Sequence, residues 1–406
     1  MEKINGGVTA AKGFKATGIY AGIKKKRKDM ALVYSEVPAK SAGTFTTNIV
    51  KAAPVIWDIK LIKEYDTASA VVLNSGVANA CTGSEGEVNN YKMAEAMAAN
   101  LNVSTNAVLT CSTGVIGKQL PIAIIAEGTK RLAQDMDESI EAGTIAAEAI
   151  MTTDTYSKEY AVSILIGEKT ITIGGMAKGS GMIHPNMATM LGVVTTDIAI
   201  SKELLQDAIS ANVKETFNMI SVDRDTSTND SLIILANGLA GNQMITEKNE
   251  DYAIFCEALK VVTTNLAKQM AADGEGATKL FETVVIGAES KNQAVTLSKS
   301  IITSNLVKTA VYGNDANWGR ILCAMGYSGA DFYPDKVDLY IESAEGKLKL
   351  VENGMATDYN EDFATKILSA KEVRAIADVK MGQESATAWG CDLTYDYVKI
   401  NADYRS

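Results

Sequence analysis

A chain of 406 residues, 47% hydrophobic and 22% charged, with 32 glycines and only 5 prolines, is a globular chain of two or three structural units and not a low-complexity or fibrous one. Its formal net charge of −10, with a sequence pI near 4.9, repels phosphate backbones and argues against a nucleic-acid partner. Residues 1–7 lack the apolar core of a signal peptide and no apolar run reaches membrane-spanning length. The five cysteines, odd in number and nowhere in a CxxC pair, read as free buried thiols, so the expectation is a cytoplasmic protein with no membrane partner.

In chain order, the basic run Lys24-Lys-Lys-Arg-Lys28 reads as a solvated turn before the strand-like residues 31–37. Further β-rich runs follow at 49–57 and 68–73, with turn residues at 74–76 and 82–86. Residues 90–100 read as a helix, and 120–142 as a longer one, with Pro121 suited to a first turn. Ser201 is a natural N-cap for a helix carrying Leu204, Leu205, Ala208, Ile209, Val213 and Phe217 at helical spacing, and 252–270 repeats that pattern. The rest alternates: strand 283–288, helix 298–311, strands 336–341 and 347–351, helix 361–370 and strand 385–393. The class is therefore mixed α/β, with a boundary near residue 285 dividing a main unit, 1–285, from a smaller α/β unit, 286–406.

The chemistry is constrained by scarcity. His184 is the only histidine, so a Ser-His-Asp or Cys-His arrangement and an ordinary His/Cys zinc site both lack residues, and neither a phosphate loop nor a dinucleotide fingerprint is present. No metal and no cofactor is expected. Thr189, placed after Ala188 in the Gly-rich segment 178–192, offers a way round the missing base. Attack on its own preceding carbonyl would cut the chain and free an α-amine, whose unperturbed pKa of about 7.7–8.0 suits a general base beside the threonine hydroxyl. Cys111-Ser-Thr-Gly-Val-Ile-Gly117 is a candidate oxyanion site: Thr113 brings a hydroxyl, and Gly114 lets backbone N–H groups approach closely.

Met182-Ile-His-Pro-Asn-Met-Ala-Thr-Met-Leu191 resembles the self-cleavage motif of the ornithine acetyltransferase (glutamate N-acetyltransferase) family of arginine biosynthesis. Further blocks resemble that family from end to end: Phe45-Thr-Thr-Asn48, Asn74-Ser-Gly-Val-Ala-Asn-Ala-Cys-Thr-Gly83, Ser112-Thr-Gly-Val-Ile-Gly117, Met151-Thr-Thr-Asp-Thr155, Asp225-Thr-Ser-Thr-Asn-Asp-Ser231, Asp273-Gly-Glu-Gly-Ala-Thr-Lys279, Gly313-Asn-Asp-Ala-Asn-Trp-Gly-Arg320 and Ile400-Asn-Ala-Asp-Tyr-Arg-Ser406. Asp-Arg-Asp at 223–225 departs from the glycine expected in its middle.

The resemblance implies a layered α/β/β/α core, with the smaller C-terminal unit completing the active site. It implies autocatalytic cleavage between Ala188 and Thr189 into an α chain, 1–188, and a β chain, 189–406, assembled as an α2β2 heterotetramer. Thr189 would take the acetyl group of N-acetylornithine as an ester and pass it to L-glutamate. Thr113 and Gly114 would form the oxyanion hole, while Thr152 or Thr153, Lys178, Glu275, Asn401 and Ser406 would contact substrate. Some members of the family also accept acetyl-CoA, and no residue decides that point. His184 would shape the approach to the scissile bond or stand by. Two alternatives stay open on the residues alone: a self-processed amidohydrolase or aminopeptidase in which water takes the acyl group, and a non-catalytic assembly protein that never processes.

Overall fold

The computed structural model describes residues 1–184 and 190–403. Ala188, Thr189 and Ser406, three of the residues singled out above, lie outside them. The class is mixed α/β, as expected, built on two sheets of nine and seven strands among the described residues.

The first sheet runs Glu2–Ile4, Lys158–Ile166, Lys169–Lys178, Leu191–Thr196, Ser231–Ala236, Met30–Phe45, Thr67–Val77 and Val108–Val115, with Phe14–Ile19 paired on Met30–Phe45. Leu191–Thr196 and Ser231–Ala236 pair in parallel and are buried along their whole length, the continuous burial expected of interior parallel strands covered on both faces. Laid flat, Lys169–Lys178 and Val108–Val115 would stand five strand spacings apart, about 24 Å at about 4.8 Å each. Yet the Lys178 ammonium touches the Thr113 hydroxyl. The sheet therefore curls on itself. The 16-residue strand Met30–Phe45 has a register shift between Tyr34 and Ala39, the kind of irregularity that lets a strand bend.

In the second sheet, Leu280–Ala288 lies between Glu372–Asp378 and Glu384–Cys391. The helix Glu250–Ala272 packs on strands of both sheets, and Phe255, Leu259, Val262 and Leu266 join them in one core. The boundary expected at 285/286 falls inside the strand Leu280–Ala288. The sheets themselves change over between Ala236 and Leu280, apart from the short strand Ile220–Ser221, which joins the second. Among the described residues no helix is long and apolar enough to cross a membrane.

Several expected elements stand differently. Residues 49–57, read as a strand, lead into the helix Ala53–Glu64: Pro54 sits in its first turn, and Ile49 is 95% exposed. The long helix at 120–142 is two, Ile122–Asp135 and Ile140–Ala149. Between them the Asp137 backbone pairs with Ala16, and the Ser139 hydroxyl caps the second by accepting from Ala142 N–H. Ser304 breaks 298–311 in the same way, capping Asn305–Tyr312 after Lys291–Thr303. Of the cysteines expected to be buried, Cys81 and Cys323 are exposed.

Candidate active site

Lys178 ends its strand opposite Leu191, and Leu191 in turn pairs with Ser231. This register brings Lys178, Met190 and Asp230 to one end of the sheet. The curl adds the end of Val108–Val115, where Ser75 pairs with Thr113 and Gly76 with Gly114. Gly114 has φ +128°, and a Cβ there would stand 2.4 Å from the Gly76 carbonyl carbon, so the two backbones can touch only because residue 114 is glycine.

Between these ends lies a cavity of about 140 Å³. It is lined by Thr113, Gly114, Thr152, Thr153, Lys178, Glu275 and Asn401, every described residue that the sequence assigned to substrate or oxyanion. Met190, next in sequence after Thr189, also lines it. A larger cleft of about 930 Å³, bordered by Lys279, Lys371 and Lys399, contains none of these seven side chains. The smaller cavity is the better candidate because its polar groups converge.

Lys178 Nζ donates to Thr113 Oγ1 at 3.2 Å. That hydroxyl already accepts from a cation, so its own proton is free to point into the cavity. Burial lowers the Lys178 pKa, opposed by the carboxylates of Asp154, Asp230 and Glu275. Asp154 is held in turn by Lys158 Nζ at 2.7 Å and Gly179 N–H at 2.7 Å on one oxygen, and by Thr152 N–H at 3.0 Å on the other. Burial pushes the Asp154 pKa up, but the ammonium groups of Lys178 and Lys158 overcome it and leave it at about 2. Lys158, fully buried, also bonds Asp273 at 2.6 Å, and Asp273 accepts from Thr155 N–H at 3.0 Å. A knot of two carboxylates and one ammonium thus clamps the turn carrying Thr152 and Thr153, the strand end carrying Lys178 and the turn carrying Glu275.

The Glu275 carboxylate lies flush against Gly181, where a Cβ would stand 2.3 Å from it, and one of its oxygens accepts from Asn401 Nδ2 at 2.7 Å. Asn401 arrives on the helix Tyr395–Ala402. That helix docks by Thr394 Oγ1 on Gly276 O at 2.7 Å and by the Tyr397 hydroxyl on Asp223 at 3.3 Å. Thr153 Oγ1 meets Ser180 Oγ at 2.7 Å. Asp230 is buried beside Lys178 and the Met190 amide, and burial raises its pKa well above the carboxylate range.

Among the described residues His184 makes no triad. Its Nδ1 lies 3.1 Å from Ser221 Oγ, but that hydroxyl is buried and donates to Ile183 O. Burial, with the positive charges of Lys299 and Arg224, drops the imidazole to about 4, so it is neutral at pH 7, and among the described residues no carboxylate stabilises an imidazolium there. Arg224, where a glycine was expected, has φ +72°, in the left-handed region that glycine adopts without strain.

Sequence reasoning missed the Asp154–Lys158–Asp273 knot and Asp230. All three acids sit in blocks already singled out, at 151–155, 225–231 and 273–279; Lys158, outside them, carried no signal of its own.

The family model "ArgJ family" matches residues 15–406. The chain belongs to the ArgJ family. Among similar curated proteins, the "Arginine biosynthesis bifunctional protein ArgJ" of Thermotoga neapolitana is 50% identical, over 97% of this chain and 99% of that one. The protein of the same name from Caldanaerobacter subterraneus subsp. tengcongensis is 51% identical over the whole of both chains. A crystal structure of the arginine biosynthesis bifunctional protein ArgJ from Bacillus halodurans, 47% identical, aligns with a TM-score of 0.50 and covers 98% of that chain but only 52% of this one.

Proposed function

We propose that this ArgJ-family chain is a self-processing acetyltransferase of arginine biosynthesis. It moves an acetyl group from N-acetylornithine, and from acetyl-CoA, to L-glutamate through an ester on Thr189. The observation that carries this reading is the cavity itself: an alcohol polarised by a buried cation, an acid capped by an amide, and a main chain that is one peptide bond from Thr189 at Met190. The relatives' shared name, with its word bifunctional, supports two acetyl donors. The solved relative's chain, matched almost completely by about half of this one, has the length expected of one fragment of a cut precursor.

Thr189 Oγ first attacks the Ala188 carbonyl, converting that amide to an ester. Water hydrolyses the ester and leaves residues 1–188 with a carboxylate and Thr189 with a free α-amine. In transfer, that amine takes the hydroxyl proton as Oγ attacks the acetyl carbonyl. The developing oxyanion is stabilised by the Thr113 hydroxyl, polarised by Lys178, and by the Gly114 N–H. The protonated amine then gives its proton to the leaving ornithine nitrogen. The α-amine of glutamate next attacks the ester, the C–O bond breaks and Thr189 is restored. Glu275, cradled by Asn401, receives the ammonium of ornithine, and Lys178 supplies positive charge for the α-carboxylate common to both amino acids. The two cut chains remain together, and two such pairs assemble as α2β2.

The test is incubation of purified enzyme with N-acetylornithine, with and without glutamate. Ornithine release that depends on glutamate, matched by N-acetylglutamate, is the expected result. Release that needs no glutamate would make the protein a hydrolase.

A further inference from the structure

The basic loop 24–28 is not the freely solvated turn its composition implies. The buried Asp29 carboxylate gathers the backbone N–H groups of Ala21, Gly22 and Lys24 at 2.6, 3.0 and 2.9 Å, which fixes the loop's path. Lys24 Nζ donates to Met151 O at 2.9 Å, and Arg27 Nη1 reaches Thr152 O at 3.5 Å, so the loop leans on the turn that lines the cavity. Lys24 is also packed behind the oxyanion position. A Cβ on Gly76 would meet the Lys24 stem at 2.8 Å, and Gly76 is the residue backed against Gly114. Burial lowers the Lys24 pKa to about 8, and the neighbouring cations Arg27 and Lys178 push the same way. Lys25, Lys26 and Arg27 are exposed, and Glu148 pairs with Lys28. Tyr20, 47% exposed, donates its hydroxyl to Lys25 O at 3.3 Å, which ties an exposed aromatic side chain to the loop.

We propose that the loop 24–28, with Tyr20, is a subsite of this active site for the phosphates and base of a nucleotide-bearing acyl thioester such as acetyl-CoA, whose acetyl group lies in the cavity. The proposal rests on the acyl-transfer reading above. A preorganised cluster of ammonium and guanidinium groups on a chain of net charge −10 is a local anion site, and an exposed ring beside it offers a stacking face for a base. N-acetylornithine carries neither phosphate nor base and has no use for it. Ile116 and Met182, both apolar and 42% and 43% exposed at the cavity, offer a wall for the uncharged arm between phosphate and thioester. In the transfer step the thioester C–S bond breaks, the C–O bond to Thr189 forms, and the proton taken from the hydroxyl by the α-amine leaves on the CoA thiol.

The experiment measures binding of CoA and of 3′-dephospho-CoA to purified enzyme by calorimetry, in the parent, in Lys25→Ala/Lys26→Ala and in Arg27→Ala, together with the KM for N-acetylornithine. The exposed side chains of Lys25 and Lys26 make the double variant safe for folding. The expected results are parental CoA binding that weakens with added salt, at least about tenfold weaker binding in the double variant, and an unchanged KM for N-acetylornithine. Equal CoA affinity in parent and double variant, no CoA binding to the parent, or a KM for N-acetylornithine that rises in step would overturn it. Loss of CoA binding in the variant, in an enzyme that transfers acetyl from neither donor, would leave the subsite standing and sink the acyl-transfer reading. Intact N-acetylornithine transfer with CoA binding indifferent to the variant would do the reverse.

Discussion

Replacing Lys158 with methionine tests whether the buried charge knot holds the site together. The Lys158 side chain is fully buried, and its two carboxylate partners are 0% and 4% exposed. Methionine fills similar space but leaves Asp154 and Asp273 as two desolvated acids without their shared cation. Removing one partner of a buried ion pair costs about 3–5 kcal/mol, roughly a fifth or more of a typical total of about 5–15 kcal/mol. The sign of the pH dependence should also change. In the parent, Lys178 and Lys158 hold the Asp154 carboxyl at about 2, below its ordinary value of 3.8, so its contribution is fully present above about pH 4 and is lost as pH falls through about 2. In Lys158→Met one carboxyl of the pair is raised instead, so the variant should gain stability relative to the parent as pH falls from 7 towards 5. Asp154 also receives Gly179 N–H and Thr152 N–H, so kcat/KM should drop with stability. Urea unfolding of parent and variant at pH 7 and pH 5, with transfer assays on the folded protein, decides the matter. A variant within about 1 kcal/mol of the parent at both pH values would refute the claim that the knot is a structural clamp.

Thr113→Ala should lower both the rate of self-cleavage and kcat by about 10²–10³, the cost of one oxyanion donor; processing at the parental rate, followed on gels, would separate the two steps. Arg224→Gly should raise the unfolding midpoint, because relief of a left-handed residue, about 1–2 kcal/mol, exceeds the extra freedom glycine gains when unfolded, about 0.4–1 kcal/mol. His184→Gln should leave the pH–rate profile unchanged: the rate should rise through the pKa of an α-amine near about 7.7–8.0, and an imidazole titrating at about 4 adds no limb above pH 5.

The parts of this molecule legible in its sequence are those written locally. Ser201 and the apolar spacing behind it specify the helix Lys202–Glu215, and Ser201 caps it by accepting from Leu204 N–H. The cavity lining was named through short blocks with Gly, Thr and acid residues that resemble those of a known family, a resemblance that holds whatever the path between the blocks. What stayed hidden was non-local or locally ambiguous. Val55-Ile-Trp57 looks like a strand until Pro54 is taken as a first helical turn. The hairpin of Lys158–Ile166 and Lys169–Lys178 turns at Gly167, with φ +58°; the glycine is the one local sign of that turn. No local pattern pairs Lys158 with Asp273, 115 residues away, since that contact exists only once the helix Glu250–Ala272 has packed on its strand. The curl that joins Lys178 to Thr113 is likewise a property of the whole sheet.

The most direct test of the central claim is N-terminal sequencing of the subunits of active enzyme. The account predicts a species beginning Thr-Met-Leu-Gly beside the chain's own N-terminus, and its absence from Thr189→Ala. Active protein that remains a single 43.1 kDa chain, with no new N-terminus at residue 189, would contradict it.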